Sequence, residues 1–428
     1  MTQPLRIAIA GLGTVGGGIV KMVQKHGHLL EKRAGRPVVI TAISARSRNK
    51  DRGVDLSAYA WEDDPVALAR RDDVDLVIEV MGGEDGPAKA CVETALQNGK
   101  HVVTANKAML AMHGQAMAEM AENAGVALRY EAAVAGGIPI VKALTEGLAG
   151  NGILRIMGVM NGTCNYILTE MENTGAAYGD VLKDAQELGY AEADPTVDVG
   201  GIDAAHKLAL LSSVAFGTKV DFASVQIEGI ERVTLDDIKN ARDMGYSIKL
   251  LGVARMNPDG LEQRMQPCLV PSNSPLGQLS GVSNMVVVDG DFIGQTVYQG
   301  PGAGEGPTAS AIMADVMDIA RGLIIPVFGQ PAAGLVKSDA SGTGSDAAYY
   351  LRFSLQDQAG VLATLASILG NYGVSINRMH QYGHDGKTAP LVIVTHTTSR
   401  AALDNALAKI SALAASLAAP VALRIETI

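Results

Sequence analysis

Apolar residues recur along the chain in two rhythms. Short stretches rich in apolar residues, at 5–10, 37–44, 74–80, 101–104 and 129–133, alternate with stretches where apolar residues return every three or four positions. The first rhythm is that of buried parallel strands, the second that of helices laid over them. Helices are expected after the first run to about residue 25, then at 87–98 and 109–124, the second ended by Gly99. Residues 1–140 therefore read as an α/β, doubly wound domain of the Rossmann type. From residue 141 the pattern changes. A strand at 151–160, a polar turn, a helix and further strands within 252–288 predict an α+β domain over 141–304, built on a mixed sheet. A Gly-, Ser- and Asp-rich run, 335–347, reads as a linker. Beyond it, over 348–428, strands at 349–355, 374–381, 391–396 and 421–427 enclose helices at 360–372 and 399–413. That βαββαβ order is ferredoxin-like.

One stretch, 189–217, concentrates the candidate chemistry. It carries Glu192, Asp194, Asp198 and Asp203, followed by Lys207. Pro195 and the pair Gly200-Gly201 make its first half a loop. Its second half, 202–216, reads as a helix stopped by Gly217. Asp203 and Lys207 are four residues apart and share a helix face. The rest of that helix is apolar almost all round, so it is buried, and a buried lysine needs a partner. Two readings follow: a structural ion pair that pins the helix, or an acid/base site with a positioned ammonium.

The strand at 5–10 runs into Gly11-Leu12-Gly13-Thr14-Val15-Gly16 and then a helix. This is the arrangement that seats a dinucleotide pyrophosphate on a helix N-terminus. The next strand ends in Ser44-Ala45-Arg46-Ser47-Arg48, with no carboxylate for a ribose 2′-hydroxyl. Arg46 and Arg48 suit a 2′-phosphate, which favours NADP over NAD; they also read as solvated loop charges. Lys107 follows the strand at 101–104, at the carboxyl end where such sheets bind ligands; taken alone it also reads as a surface charge. The turn 161–165 offers backbone N–H groups and the Thr163 hydroxyl to a small carboxylate, or caps the following helix.

Totals narrow the class. The 428 residues are 47% apolar, enough for several cores, and carry a net charge of −10 with no basic block. Nucleic acid and anionic membrane are thus unexpected partners. No apolar run is long enough to span a bilayer, and no signal-peptide plan is visible. The three cysteines, Cys91, Cys164 and Cys268, are far apart and suggest neither disulfides nor a zinc site, which points to a reducing compartment, the cytoplasm. The eight histidines are scattered.

Five motifs in order resemble those of the homoserine dehydrogenases. They are Thr104-Ala105-Asn106-Lys107, Glu131-Ala132-Ala133-Val134-Ala135-Gly136-Gly137-Ile138-Pro139, Asn161-Gly162-Thr163-Cys164-Asn165, Gly189-Tyr190-Ala191-Glu192-Ala193-Asp194-Pro195 with Asp198, Asp203 and Lys207, and Gly302-Ala303-Gly304-Glu305-Gly306-Pro307. One departure is Cys164, where the family has a second threonine. The resemblance implies reversible reduction of L-aspartate 4-semialdehyde to L-homoserine by NAD(P)H, a step toward threonine, methionine and isoleucine. It implies Lys207 as proton donor, with Lys107 and Asp203 beside it. Glu192, Asp198 and Asp203 would hold the substrate, with Thr163 and Tyr190 as further candidates. A monovalent cation such as Na+ would sit at Glu131 and the backbone oxygens near Val134, Gly136 and Ile138. The loop containing Gly304 would lie over the cofactor, and residues of about 305–335 would return to complete the first domain. A homodimer or homotetramer is expected.

In the tail, Leu355-Gln356-Asp357-Gln358-Ala359-Gly360-Val361-Leu362 resembles the opening of an ACT domain, an amino-acid-sensing module. Asp357, Ala359, Gly360, Val361 and Leu362 would then take an effector such as L-threonine; the alternative is a dimerisation domain without a ligand. With no kinase segment before residue 1, an aspartokinase fusion is not expected. Two other functions remain in view: a phosphorylating semialdehyde dehydrogenase using Cys164 as nucleophile, and a non-catalytic sensor that only binds NADP.

Overall fold

The computed structural model describes residues 3–340, 344–381 and 388–428. Its first sheet has six parallel strands in the order Ala60–Glu62, Val38–Ser44, Leu5–Ala10, Leu76–Glu79, His101–Thr104, Leu128–Arg129. Both faces are covered, which is why the strands are apolar on both sides. Ile7 and Ile9 face the helices Thr14–Ala34 and Glu305–Ala320, while Ala8 and Ala10 face Pro87–Gln97 and Lys107–Ala124. Helices Thr14–Ala34 and Glu305–Ala320 approach closely because Gly18 has no side chain; a Cβ there would stand 2.7 Å from Glu305 Cγ. Lys21 and Glu305 pair across the same contact at 2.8 Å.

The second sheet runs Gly294–Pro301, Ser283–Gly290, Ile153–Val159, Tyr246–Asn257, Gly260–Pro271, Val421–Ile425, Ala348–Gln356, Thr388–Thr395, Ile376–Gln381, with Gln226–Ile227 added on Gly260–Pro271. The last four strands of that series are the ferredoxin-like module. The tail is therefore not a separate sheet behind a linker. Parallel pairing of Cys268 with Arg424 and Leu269 with Ile425 makes one continuous sheet of it and the middle domain. Four buried charges hold the seam: Arg264 to Glu426 and to Glu262, at 2.6 and 2.7 Å, and Arg424 to Glu426 at 2.6 Å. Two positive and two negative groups neutralise each other, the condition under which burial of charge is tolerated. Residues 336–340 are likewise laid against the middle domain, Val336 bridging Thr218 and Ala340 bridging Leu261.

Other differences are local. The expected strand 129–133 ends at Arg129 and continues as a turn of 3-10 helix, Glu131–Ala133. The helix expected from 109 begins at Lys107, because the Asn106 side chain caps it by accepting the Met109 N–H at 3.1 Å. The loop before the central helix contains one helical turn, Thr196–Val199. The central helix is Ile202–Phe216, ended by Gly217 in the left-handed region at φ 65°. No helix among the described residues is long and apolar enough to cross a membrane.

Candidate active site

The two sheets meet at a cleft of about 780 Å³. Helix Ile202–Phe216 enters it from the middle domain. Asp203 lies in its first turn and Lys207 one turn on, so both point the same way. Asp203 uses both oxygens: Oδ2 accepts from Lys207 Nζ at 2.6 Å, and Oδ1 lies 3.0 Å from Lys107 Nζ. Lys207 Nζ also donates to the Met160 carbonyl at 2.8 Å. A single carboxylate thus ties together two lysines from two domains.

Asn161 organises the other side. Its Oδ1 accepts the Cys164 N–H at 2.8 Å and caps helix Gly162–Thr174. Its Nδ2 donates to Asp198 at 2.9 Å and to Asp203 at 3.2 Å. Asn161 is the central residue that sequence reasoning read only as part of a turn or as a helix cap. Its double use as cap and carboxylate bridge appears only once 198 and 203 are brought beside it. Thr163 donates its hydroxyl to the Tyr190 carbonyl at 2.6 Å, so it fixes the 190–192 segment in place. Tyr190 is half-exposed against Tyr166, and Glu192 is exposed on the cleft rim.

Burial alone would raise the Asp203 carboxyl, but Lys207 and Lys107 hold it well below the usual carboxylate range. Asp203 in turn raises the Lys107 ammonium against the effect of burial. The opposing pulls on Lys107 are thereby settled in favour of the charged form. Asp198 is raised by burial. Burial pushes the Cys164 thiol far above its usual range, and its Sγ donates to the Asp198 carbonyl at 3.2 Å. A thiol so held is no nucleophile.

The dinucleotide end of the cleft follows the glycine pattern. Gly11 has φ 108°, and a Cβ there would stand 2.7 Å from the Val80 carbonyl. A Cβ on Gly16 would collide with the Gly11 carbonyl, whereas one on Gly13 would meet nothing within 4 Å. Gly11 and Gly16 are thus needed for packing, and Gly13 leaves open the side from which a phosphate approaches. Leu12 is buried, Thr14 exposed, and Val15 lines the cleft. No side chain caps the helix that starts at Thr14, which leaves its first N–H groups for an anion. Arg46 and Arg48 are exposed, and the Arg48 guanidinium lies 5.7 Å from the Trp61 ring centre. Arg52, which no motif marked, braces this loop through the Leu12 and Ser47 carbonyls.

Glu131 is buried below the cleft. Its carboxylate accepts the Val141 and Lys142 N–H groups at 2.9 and 2.8 Å. Burial, and then Asp315, push it up to about 8. Ala135 and Gly136 both have left-handed backbone, φ 54° and 52°, and a Cβ on Gly136 would collide with the Gly302 carbonyl. Val134 and Ile138 are buried on either side. Loop 302–304, with Gly304 at φ 120°, rests on this turn and walls the cleft with Thr308. In the tail a second pocket of about 270 Å³ is lined by Asp357, Ala359, Gly360, Val361 and Leu362, with Gln381 and Leu391 opposite.

A doubly wound dinucleotide domain, with lysines and carboxylates converging where its ligand would end, defines a nicotinamide-dependent oxidoreductase. Three family models match: the NAD-binding domain of homoserine dehydrogenase over residues 11–131, homoserine dehydrogenase over 139–317, and the ACT domain over 349–415. Homoserine dehydrogenase of Neisseria gonorrhoeae is 45% identical over 420 residues, 96% of each chain. That of Pseudomonas aeruginosa is 41% identical over 433 residues, 99% of each. The crystal structure of a homoserine dehydrogenase from Thiobacillus denitrificans superposes with a TM-score of 0.94 at 40% identity, covering 99% of both chains. The chain belongs to the homoserine dehydrogenase family, as an NAD(P)-dependent oxidoreductase with a C-terminal ACT domain.

Proposed function

We propose that the Lys107–Asp203–Lys207 cluster is the reaction centre for interconversion of L-aspartate 4-semialdehyde and L-homoserine. The observation that carries this is the shared carboxylate, with Asp203 within 3.0 Å of both lysines. When bound, the reduced nicotinamide supplies the hydride. Negative charge then builds on the carbonyl oxygen, and Lys207 stabilises it and delivers the proton. Asp203 and the Met160 carbonyl hold Lys207 in place for both roles. Lys107, kept charged by Asp203, adds a second positive group at the cofactor side of the cleft. Glu192 and Asp198 accept from the substrate ammonium, and Thr163 and Tyr190 position that segment.

The first turn of helix Thr14–Ala34 fits the pyrophosphate, and Arg46 with Arg48 fits a 2′-phosphate, so the cofactor is NADP in preference to NAD. A monovalent cation such as Na+ fits beside Glu131, a buried carboxylate raised to about 8 by burial and by the neighbouring Asp315. Carbonyls of Val134, Gly136 and Ile138 would complete its shell, and its part is to brace the turn under loop 302–304. The tail pocket at Asp357–Leu362 takes the effector, L-threonine, on the N-terminus of helix Val361–Asn371. The enzyme works in the cytoplasm as a homodimer or homotetramer; its three cysteines are free and buried. Absorbance loss of NADPH with L-aspartate 4-semialdehyde, with and without L-threonine, tests the whole reading. Turnover that threonine suppresses is expected. Absence of turnover with either nicotinamide, on protein that binds NADPH, would overturn it.

A further inference from the structure

Asn284 stands at the end of strand Ser283–Gly290 and is only 1% exposed, yet it lines the cleft. Its Oδ1 is buried with no hydrogen-bond partner among the described residues. A buried amide oxygen left unpaired is costly, so such an atom calls for a donor. The side chain is also pressed against the cofactor loop, since a Cβ on Gly302 would collide with its amide.

The sheet register says what lies beside it. Met285 pairs with Val159, which brings Asn284 alongside Met160, whose carbonyl anchors Lys207 Nζ. Strand alternation puts Asn284 on the face of Val286 and Val288, on which helix Gly162–Thr174 packs and which helix Ile202–Phe216 covers at the neighbouring strand Ile153–Val159. Asn284 therefore sits between the proton donor and loop 302–304. Hydride transfer to a substrate held at Lys207 would bring the nicotinamide ring to that side of the cleft, and the carboxamide is carried on C3, next to the reacting C4. A carboxamide has an NH2 group to donate and a carbonyl to accept, which a primary amide side chain complements.

We infer that Asn284 is the residue that recognises the nicotinamide carboxamide, its amide oxygen accepting the carboxamide N–H and its contact with Gly302 fixing the loop that covers the ring. This rests on the reading of the cleft as the hydride-transfer site. Asn284 acts by orienting the ring, and the substrate ammonium is left to Glu192 and Asp198.

The test compares NADP with its 3-acetylpyridine analogue, in which a methyl replaces the NH2 donor. Equilibrium dissociation constants are measured by fluorescence titration, so the differing redox potential of the analogue does not enter. Wild-type protein is expected to bind the analogue about tenfold more weakly, the value of one lost hydrogen bond. Asn284→Ala is expected to bind both about equally, and Asn284→Asp, which keeps an acceptor, to retain most of the difference. Equal affinities in the wild type, or an unchanged ratio in Asn284→Ala, would overturn the inference. A rise in KM for L-homoserine alone in Asn284→Ala would reassign the side chain to the substrate. The wild-type comparison stands even if Asn284→Ala fails to fold. Failure of wild-type protein to oxidise NADPH with the semialdehyde would instead refute the reading of the cleft.

Discussion

Replacing Asp203 by Asn removes the charge that two lysines share while keeping the shape of the side chain. At an effective dielectric constant of about 20, unit charges about 3 Å apart attract by about 5 kcal/mol. The Lys107 side chain keeps 34% of its surface open to the cleft, so solvent screening reduces its share to about 2–3 kcal/mol. Asp203 is the largest influence raising Lys107; without it, burial dominates and the ammonium gives up its proton more easily. The alkaline limb of NADPH-dependent semialdehyde reduction should therefore move to lower pH in Asp203→Asn. Stability moves as well. Breaking a buried pair costs about 3 kcal/mol, measurable by urea unfolding at neutral pH. Because the Asp203 carboxyl is held below its unfolded value, this difference is full above the ordinary carboxylate range and is lost as pH falls through the folded value. A reductive pH profile in Asp203→Asn that overlays the wild type would refute the assignment of Asp203 as the group that keeps Lys107 charged.

Cys164→Ala should turn over at close to the wild-type rate in steady-state assays, since its thiol is buried and held protonated; loss of all turnover would revive the acylating mechanism. Arg46→Ala with Arg48→Ala should raise the KM for NADPH about tenfold or more and leave that for NADH nearly unchanged, because only the former carries a 2′-phosphate. Glu131→Gln should abolish any rise in thermal midpoint when NaCl replaces tetramethylammonium chloride. Without a small cation it should also lessen the destabilisation seen as pH climbs toward 8, since a raised native carboxyl costs stability wherever the unfolded chain has already ionised.

Much of this was legible in the sequence because local rules agreed with the fold. The helix Ile202–Phe216 is bounded by glycines and apolar almost throughout, so its limits and the pairing of Asp203 with Lys207 followed from spacing. The Gly11–Gly16 turn was equally plain, because Gly11 answers to a close backbone contact at Val80 and Gly16 to one at Gly11. What stayed hidden depends on partners distant in sequence. Lys107 meets Asp203 across 96 residues; periodicity reports only neighbours within a turn, so the family resemblance alone put the two together. Asn161 joins Asp198 and Asp203 only after strand Ile153–Val159 is laid beside the central helix. The merger of the tail with the middle sheet rests on just two residue pairs and a quartet of charges spread from Glu262 to Glu426. Each of those charges, read alone, is an unremarkable surface residue. Arg52 was missed for the same reason, since its bonds to Leu12 and Ser47 form only when the loop closes on the dinucleotide turn.

The most direct test of the central claim is single-turnover reduction of L-aspartate 4-semialdehyde by NADPH in wild type and Lys207→Ala, with NADPH binding measured on the same preparations. The account predicts unchanged NADPH affinity and hydride transfer slowed at least about a hundredfold, the scale of a lost general acid. Hydride transfer at the wild-type rate in Lys207→Ala would contradict it.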